Sequence, residues 1–401
     1  VPGPTDRRDA VAPAGTGRDE SAGQAWFAGV RARRPVQCVD LRADAATVAR
    51  GGFWAVVGDF GGPVRAWRFA DVSRATPGAD VAPPARAGAP WAASSGPRPH
   101  DWTTSLDRSS YVAAVERVRQ AVRAGDVYQA NVCRVLSAPL AGYAGREPSA
   151  QALSAVLAAG NPAPFAGGVH VPAGVGLPAT WVVTASPELF LRLDDGVLTS
   201  APIKGTASTP DGLTAKDRAE NVMITDLVRN DLQRVCAPGT VEVSSLLDVE
   251  EHPGLVHLVS TVQGRLAPGV AAAPDLWARV LDATYPPGSV SGAPKSAALR
   301  LIADLEPVPR GPYCGVVGWI DADGGRAELA VGIRTFWWTA DPPGAGAPGT
   351  GAPGTGTPGT LRFGTGAGIT WGSDPAAEWE ETELKARRLI ALASAPGGTP
   401  D

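Results

Sequence analysis

The sequence predicts an α+β protein built on antiparallel sheets, and three observations carry that reading. Short apolar runs rich in Val, Leu, Phe and Trp come in hairpin-like clusters. Residues 109–124, 216–236 and 375–393 instead repeat their apolar positions at the helical spacing. The glycine-rich tract at 363–373 is not followed by a crossover βαβ unit with a later acidic residue, and no P-loop is present. A nucleotide-binding parallel sheet is therefore not indicated.

In chain order, residues 1–22 are polar, have no apolar stretch of the secretory kind and read as a disordered lead. Residues 53–57 and 64–69 read as strands, and 71–100, rich in Pro, Ala and Gly, as a long loop. Tyr111, Val115, Val118 and Val122 mark one face of a helix that ends at Ala124-Gly125-Asp126. A strand over 127–136 and a short helix over 150–159 follow. Strands at 181–185 and 189–193 flank Ser186-Pro187-Glu188, and a strand at 198–203 delivers Lys204 into a Gly-Thr turn. Beyond the 216–236 helix, strands are expected at 241–249, 256–266, 314–321, 327–338 and 361–370. Residues 341–360 carry a GAPGT repeat with too few apolar side chains to order itself, and read as a disordered insert between two strands. The expected organisation is one domain over 23–395 and a tail at 396–401.

Composition narrows the function. Hydrophobic residues make up 44% of the 401 and charged residues 19%, an ordinary balance for a globular protein able to bury a sizeable core. The net charge of -4 gives no basic face for nucleic acid. No run approaches the roughly 20 apolar residues that span a bilayer. Cys38, Cys133, Cys236 and Cys314 are far apart and form no C-x-x-C pair, so they read as buried, reduced thiols of a cytoplasmic protein. Histidine is also scarce, at positions 100, 170, 252 and 257, so chemistry should rest on carboxylates and lysines.

Three tracts can carry such chemistry. Asp217 and Glu220 are three residues apart on one predicted helix; Glu378 and Glu381 are three apart on another, with Lys385 four further on. These spacings align the side chains on one helical face. If the helices converge, Glu220 and Glu381 can bind a hard cation such as Mg²⁺, which takes one or two protein carboxylates. On spacing alone, a solvated, salt-bridged face is the commoner reading, because acidic pairs at this spacing are frequent. In PIKGT (202–206), Pro and Gly bend the chain around Lys204, an anion ligand or a nucleophile once it has lost its proton. Alone it also reads as a surface lysine. In FGTGAGITWGS, alternating glycines let backbone N–H groups approach a ligand anion, and Tyr313 and Arg334 are a further possible anion pair.

Together the blocks resemble the chorismate-utilising family, which includes anthranilate, aminodeoxychorismate, isochorismate and salicylate synthases. They include GDVYQANVCR (125–134), SPELFLRL (186–193), PIKGT, KDRAENVMITDLVRNDL (216–232), YPPGSVSGAPKSAALRLI (285–302), RGPYCGVVGWI (310–320), LAVGIRTF (329–336) and GTGAGITWGSDPAAEWEETELKARRL. The likeness runs almost unbroken from about 109 to 392, whereas the first hundred residues offer only an echo around FWAVVGDFGG. The resemblance implies two antiparallel sheets packed as a sandwich with helices outside, in two intertwined halves with the active site between them. It implies Mg²⁺ on the ring carboxylate of chorismate, held by Glu220 and Glu381, with Asp217 and Glu378 as neighbours. It matches Tyr313, Arg334, Gly366, Ala367, Gly368 and Lys385 to substrate-carboxylate positions, Thr206 and His257 to the ring pocket, and Glu188 to the general acid for the 4-hydroxyl.

Two positions bear on which reaction is expected. Water-adding members carry a lysine base where this chain has Gln129, and an amide cannot take that proton. Anthranilate-type members carry a small residue where this chain has Lys204. The PIKGT form is similar to the aminodeoxychorismate synthases, which implies attack of Lys204 on C2 and then of ammonia on C4, for p-aminobenzoate synthesis. The chain has no G-x-C-x-G turn of the glutaminase kind, so a glutaminase subunit supplying ammonia is the expected partner. The alternatives are an anthranilate or 2-amino-2-deoxyisochorismate synthase, and a chorismate-binding subunit without turnover.

Overall fold

The computed structural model describes residues 22–74, 96–143, 145–207, 209–252, 255–342 and 356–394. Nearly all of the expected lead, the tail, and the centres of the 71–100 loop and the 341–360 insert lie outside these residues.

Strands β1 (Gln24–Phe27), β2 (Val30–Asp40), β3 (Phe53–Gly58) and β4 (Val64–Arg74) come first, so the opening of the expected 71–100 loop is strand. The short β5 (Thr103–Thr104) precedes the Arg108–Ala124 helix, and β6 (Gln129–Pro139) follows it. The Ala150–Gly160 helix leads to β7 (Phe165–Val171), β8 (Thr180–Ser186), β9 (Leu189–Asp194), β10 (Val197–Ala201) and β11 (Ile203–Ala207). The Ala215–Gln233 helix leads to β12 (Glu242–His252) and β13 (Leu255–Arg265). The Leu276–Thr284 helix, β14 (Gly292–Ala293) and the Lys295–Leu305 helix precede β15 (Val316–Asp321), β16 (Arg326–Val331), β17 (Thr335–Ala340) and β18 (Gly359–Ile369). The Pro375–Ala393 helix comes last.

The three long helices carry the start signals that their sequences encode. Asp107 accepts the backbone N–H of Ser110 at 2.7 Å, and Gly125 ends that helix at φ 83°. Thr214 and Asp217 form a reciprocal capping box on the Ala215–Gln233 helix. Asp374 accepts the N–H of Ala377, with Pro375 opening the final helix.

All named strand pairings are antiparallel, as the sequence predicts. One half of the network runs β12–β13–β10–β9–β16–β15–β3–β4–β2, with β11 also on β13. The other runs β7–β8–β17–β18–β6, with β5 and β14 on β6. Strand β1 pairs with both β2 and β7, so the two expected layers are joined in one ribbon of strands. That ribbon folds over, bringing β7 against β3 and β15. Its main core includes Trp54, Trp67, Val169, Leu191 and Val317, all nearly inaccessible. A second cluster seats the Ala150–Gly160 and Pro375–Ala393 helices on Trp181, Phe336 and Phe363.

The expected strand at 198–203 breaks at Pro202, which has no N–H to give a ladder, so Lys204 lies within β11 and not in a turn beyond it. The expected strand at 327–338 breaks at Gly332–Arg334, where Arg334 adopts φ 51°. The glycine-rich stretch 363–369 is the end of β18, in line with the strand expected at 361–370. Cys314 precedes β15 at φ 62°. Three cysteines are buried, as expected, but Cys38 is only half-buried.

The break at Gly332–Arg334 matters because it is a passage between the halves, as is the stretch between β8 and β9. The chain leaves β8 for β9 through Pro187-Glu188, and leaves β16 for β17 through Gly332–Arg334. The two passages lie side by side. Ser186 Oγ donates to Val331 O at 2.7 Å, Val331 N to Glu188 O at 3.0 Å, and Ala185 N to Arg334 O at 3.0 Å.

Candidate active site

Lys204 and Gly368 come from opposite ends of the ribbon, on β11 and β18, yet they meet. A Cβ built on Gly368 would lie 2.8 Å from Lys204 Nζ, 2.6 Å from Gln129 Nε2 and 3.2 Å from Asn131 Oδ1. Glycine is thus the residue that lets the lysine ammonium reach the β18 backbone. Gln129 is fully buried, and neither polar atom of its amide has a hydrogen-bond partner. Each such unmet group costs about 1–3 kcal/mol, which a bound molecule completing the bonds can offset. Gly205, beside Lys204, holds φ +81°, and a Cβ there would strike Asp217 Cβ at 2.8 Å.

Glu188 sits in the β8–β9 passage with 3% of its surface exposed. Burial pushes its carboxyl up to about 7 against the opposing pull of a Ser289 hydrogen bond, the Lys204 charge, the Ile203 N–H and the Lys385 charge. It can therefore hold a proton near neutral pH and release it to a leaving group. A small cleft has Glu188, Ser200, Asp231, Thr284 and Ser289 in its wall. Lys204 and Arg334 are not part of that wall.

Anion-binding groups stand nearby. Burial lowers the Arg334 guanidinium from its usual range. Arg334 lies 3.4 Å from His257 Nε2 and makes no ion pair among the described residues, which suits it to a ligand carboxylate. Burial keeps Tyr313 a neutral phenol, and its ring packs on Gly364. On β18, strand β17 pairs only as far as Phe363, so the same edge from Gly364 to Gly368 is open. Lys385 Nζ bonds Gly366 O there at 3.0 Å. Thr206 pairs with His257 in the β11–β13 register.

The carboxylates are held by lysines. Lys216 Nζ lies 3.4 Å from Glu378 Oε1 and 3.7 Å from Glu220 Oε1. Lys385 Nζ lies 2.6 Å from Glu381 Oε1. Burial raises the Glu378 carboxyl, and neighbouring Glu381 adds to this, against Ser373 and Lys216. Burial also pushes Glu381 upward, but Lys385, Lys204 and Lys216 together bring it below its usual range. Thr370 Oγ1 adds a contact to Glu220 at 3.5 Å. Asp217 instead turns back to its own helix start, accepting from Thr214 N at 2.8 Å and Thr214 Oγ1 at 2.6 Å. Among the described residues, no three His, Cys, Asp or Glu converge as a metal cage.

The sequence pattern of the chorismate binding enzyme family matches residues 75–391. The chain belongs to this family. Anthranilate synthase component 1 of Streptomyces coelicolor is 37% identical over 324 residues, 77% of this chain and 56% of that relative. Aminodeoxychorismate synthase component 1 of Klebsiella aerogenes is 35% identical over 301 residues, 72% of this chain and 59% of that relative. The chain thus spans somewhat over half the length of these curated relatives. A putative 2,3-dihydroxybenzoate-specific isochorismate synthase, DhbC, from Bacillus anthracis shares the fold, with TM-score 0.70 and 20% identity. That likeness covers 93% of this chain and 96% of the other.

For a chorismate-binding enzyme, the donor set suits a hard divalent ion. Glu220, Glu378 and Glu381 supply oxygen only, and the Lys216 ammonium is a stand-in cation between two of them. Several supporting residues escape sequence reasoning. Ser289, in the stretch before β14, reaches Glu188. Arg310 is 2% exposed and bonds Glu306, Val290 O and Asn131 O, tying β6 to that stretch. Arg134, on β6, bonds Thr382 of the glutamate-bearing helix at 3.0 Å and lies over Trp379. An arginine flanked by Val132, Cys133, Val135 and Leu136 within a strand is the signal that could have found Arg134.

Proposed function

We propose that this chain converts chorismate and ammonia to 4-amino-4-deoxychorismate. The observation that carries the reading is the Lys204 ammonium beside Gly368 and the unpartnered Gln129 amide, with Glu188 close enough to feel its charge. The Lys204 amine attacks C2 of the ring, the double bonds shift, and the C4–O bond breaks. Glu188 gives its proton to the departing hydroxyl, which leaves as water. Ammonia then attacks C4 and the double bonds shift back, releasing Lys204 as the free amine; the new C4 ammonium returns a proton to Glu188, and the net change is exchange of OH for NH₂, with ammonia consumed and water released. The covalent step divides one hard displacement into two easier ones. Gln129 can accept N–H bonds from an incoming amine but cannot take a proton from water. Arg334, Tyr313 and the open β18 edge are suited to the substrate carboxylates, with Thr206 and His257 beside the ring.

Glu220 and Glu381 would hold Mg²⁺, with Glu378 beside them and Asp217 kept as a helix cap. When bound, Mg²⁺ would supply positive charge to offset that of the ring carboxylate. Glu220→Gln or Glu381→Gln is expected to abolish the Mg²⁺ dependence of turnover along with most of the rate. Full activity of the unaltered protein in excess EDTA would sink the metal assignment. Gly368→Ala is expected to displace Lys204 Nζ and Gln129 and to lower kcat/KM roughly 10²-fold, with little change in melting temperature. Steady-state kinetics beside a thermal melt tests this; an unimpaired rate would show that the contact is not used.

Ammonia would come from a separate glutaminase subunit, and ammonium salts should replace it in vitro. The decisive test is incubation with chorismate, ammonium and Mg²⁺, followed by identification of the product by mass and retention. 4-Amino-4-deoxychorismate is expected. Anthranilate would favour the second reading, which the anthranilate synthase relatives at 37% identity support.

A further inference from the structure

The first turn of the Ala215–Gln233 helix holds a residue that its own helix disfavours. Lys216 is the second residue of that helix, where the macrodipole is positive and a cation is unfavourable. It is compensated across the site. Its ammonium is shared between Glu378 on the Pro375–Ala393 helix, at 3.4 Å, and Glu220 on its own helix, at 3.7 Å. Both contacts are longer than the 2.7–2.9 Å of a well-seated charge-assisted bond. One charge balanced between two oxygens is the arrangement of a bound cation. The carboxylates it joins are mostly buried, at 6% and 14% side-chain exposure, while the lysine is about half exposed and can swing out.

We propose that Lys216 is an internal competitor for the cation site. It keeps Glu220 and Glu378 paired when no metal is bound, and a divalent ion must displace it to bind. The lysine thereby sets the metal concentration at which the site fills. This rests on the metal assignment above and adds to it a residue whose removal should strengthen binding, the opposite of removing a ligand. Lys385 does not share the role, because its ammonium is engaged by Glu381 and by the Gly366 carbonyl.

The test is direct titration of Mg²⁺ into the metal-stripped full chain by calorimetry, comparing unaltered protein with Lys216→Gln and Lys216→Arg. Lys216→Gln is expected to bind Mg²⁺ about three- to tenfold more tightly, the scale of one or two partly exposed ion pairs. Lys216→Arg, which keeps the charge, should stay near the unaltered value. Thermal melting is an independent readout. Lys216→Gln should melt lower in EDTA, where the carboxylates repel, and rise further on adding Mg²⁺. Equal or weaker binding by Lys216→Gln overturns the proposal while leaving the metal assignment standing. No binding by any of the three proteins overturns both.

Discussion

Lys204→Ala is expected to lose 4-amino-4-deoxychorismate formation by about 10³-fold or more in kcat. No other amine is placed to replace it. Lys385 is bound to Glu381 and to the Gly366 carbonyl, and Lys216 lies between Glu220 and Glu378. The fold should tolerate the change, since Lys204 is only half-buried and makes no ion pair among the described residues. Removing the side chain also opens the approach to C2 beside Gln129. A small yield of anthranilate-type product is therefore expected from the variant, detected by mass and retention. Unchanged formation of the 4-amino product would remove Lys204 from the mechanism.

Glu188→Gln should lower kcat by about 10²–10⁴-fold, the usual worth of a positioned general acid. Its pH behaviour gives a second, independent check. Burial raises the carboxyl from 4.5 to about 7, so the proton-donating form is present below that value and declines above it. The rate of the unaltered protein should fall on the alkaline side of about 7, and that limb should be missing from the residual activity of Glu188→Gln. Stability should follow the same group. The fold favours the neutral carboxyl, so its stabilisation is full below about 4.5 and lost as pH rises through about 7. Glutamine is neutral throughout. The variant should therefore melt close to the unaltered protein at pH 5 and above it at pH 8, by an amount on the order of a few kcal/mol. Identical melting at both values would mean that Glu188 is not held in the neutral form.

Most of the secondary structure was legible because its signals are local. The three long helices carry caps and apolar faces, and strands β8, β9 and β13 are rich in Val, Leu, Phe and Trp. What escaped is set by distant partners. Nothing around Pro187 or Gly332 says that the chain passes from one half of the strand network to the other there. Strand β1 is only four residues long and β2 is interrupted by Arg31, Arg33 and Arg34, so neither shows a strand pattern of its own; pairing with β7 and β4 is what defines them. The candidate site was nameable residue by residue through the family motifs, but its charge balance was not. Lys216 reads as one more polar residue in a helix start until Glu378 arrives from 162 positions away. Asp217 shows the converse. Its spacing to Glu220 suggests a ligand pair, yet a threonine three residues earlier claims its carboxylate for the helix cap.

The meeting of Lys204 with Gly368 and Gln129 ties catalysis to the completeness of the fold. These residues belong to strands near the two ends of the ribbon, joined only through the long run of pairings between them and the seam at β1. No hairpin, and neither half alone, contains the reacting centre. Fraying of either terminal strand group would separate amine from amide while the tryptophan-rich middle stayed packed. Such a molecule would look native to spectroscopy and be inert, so turnover is the more sensitive gauge of whether the ribbon has closed.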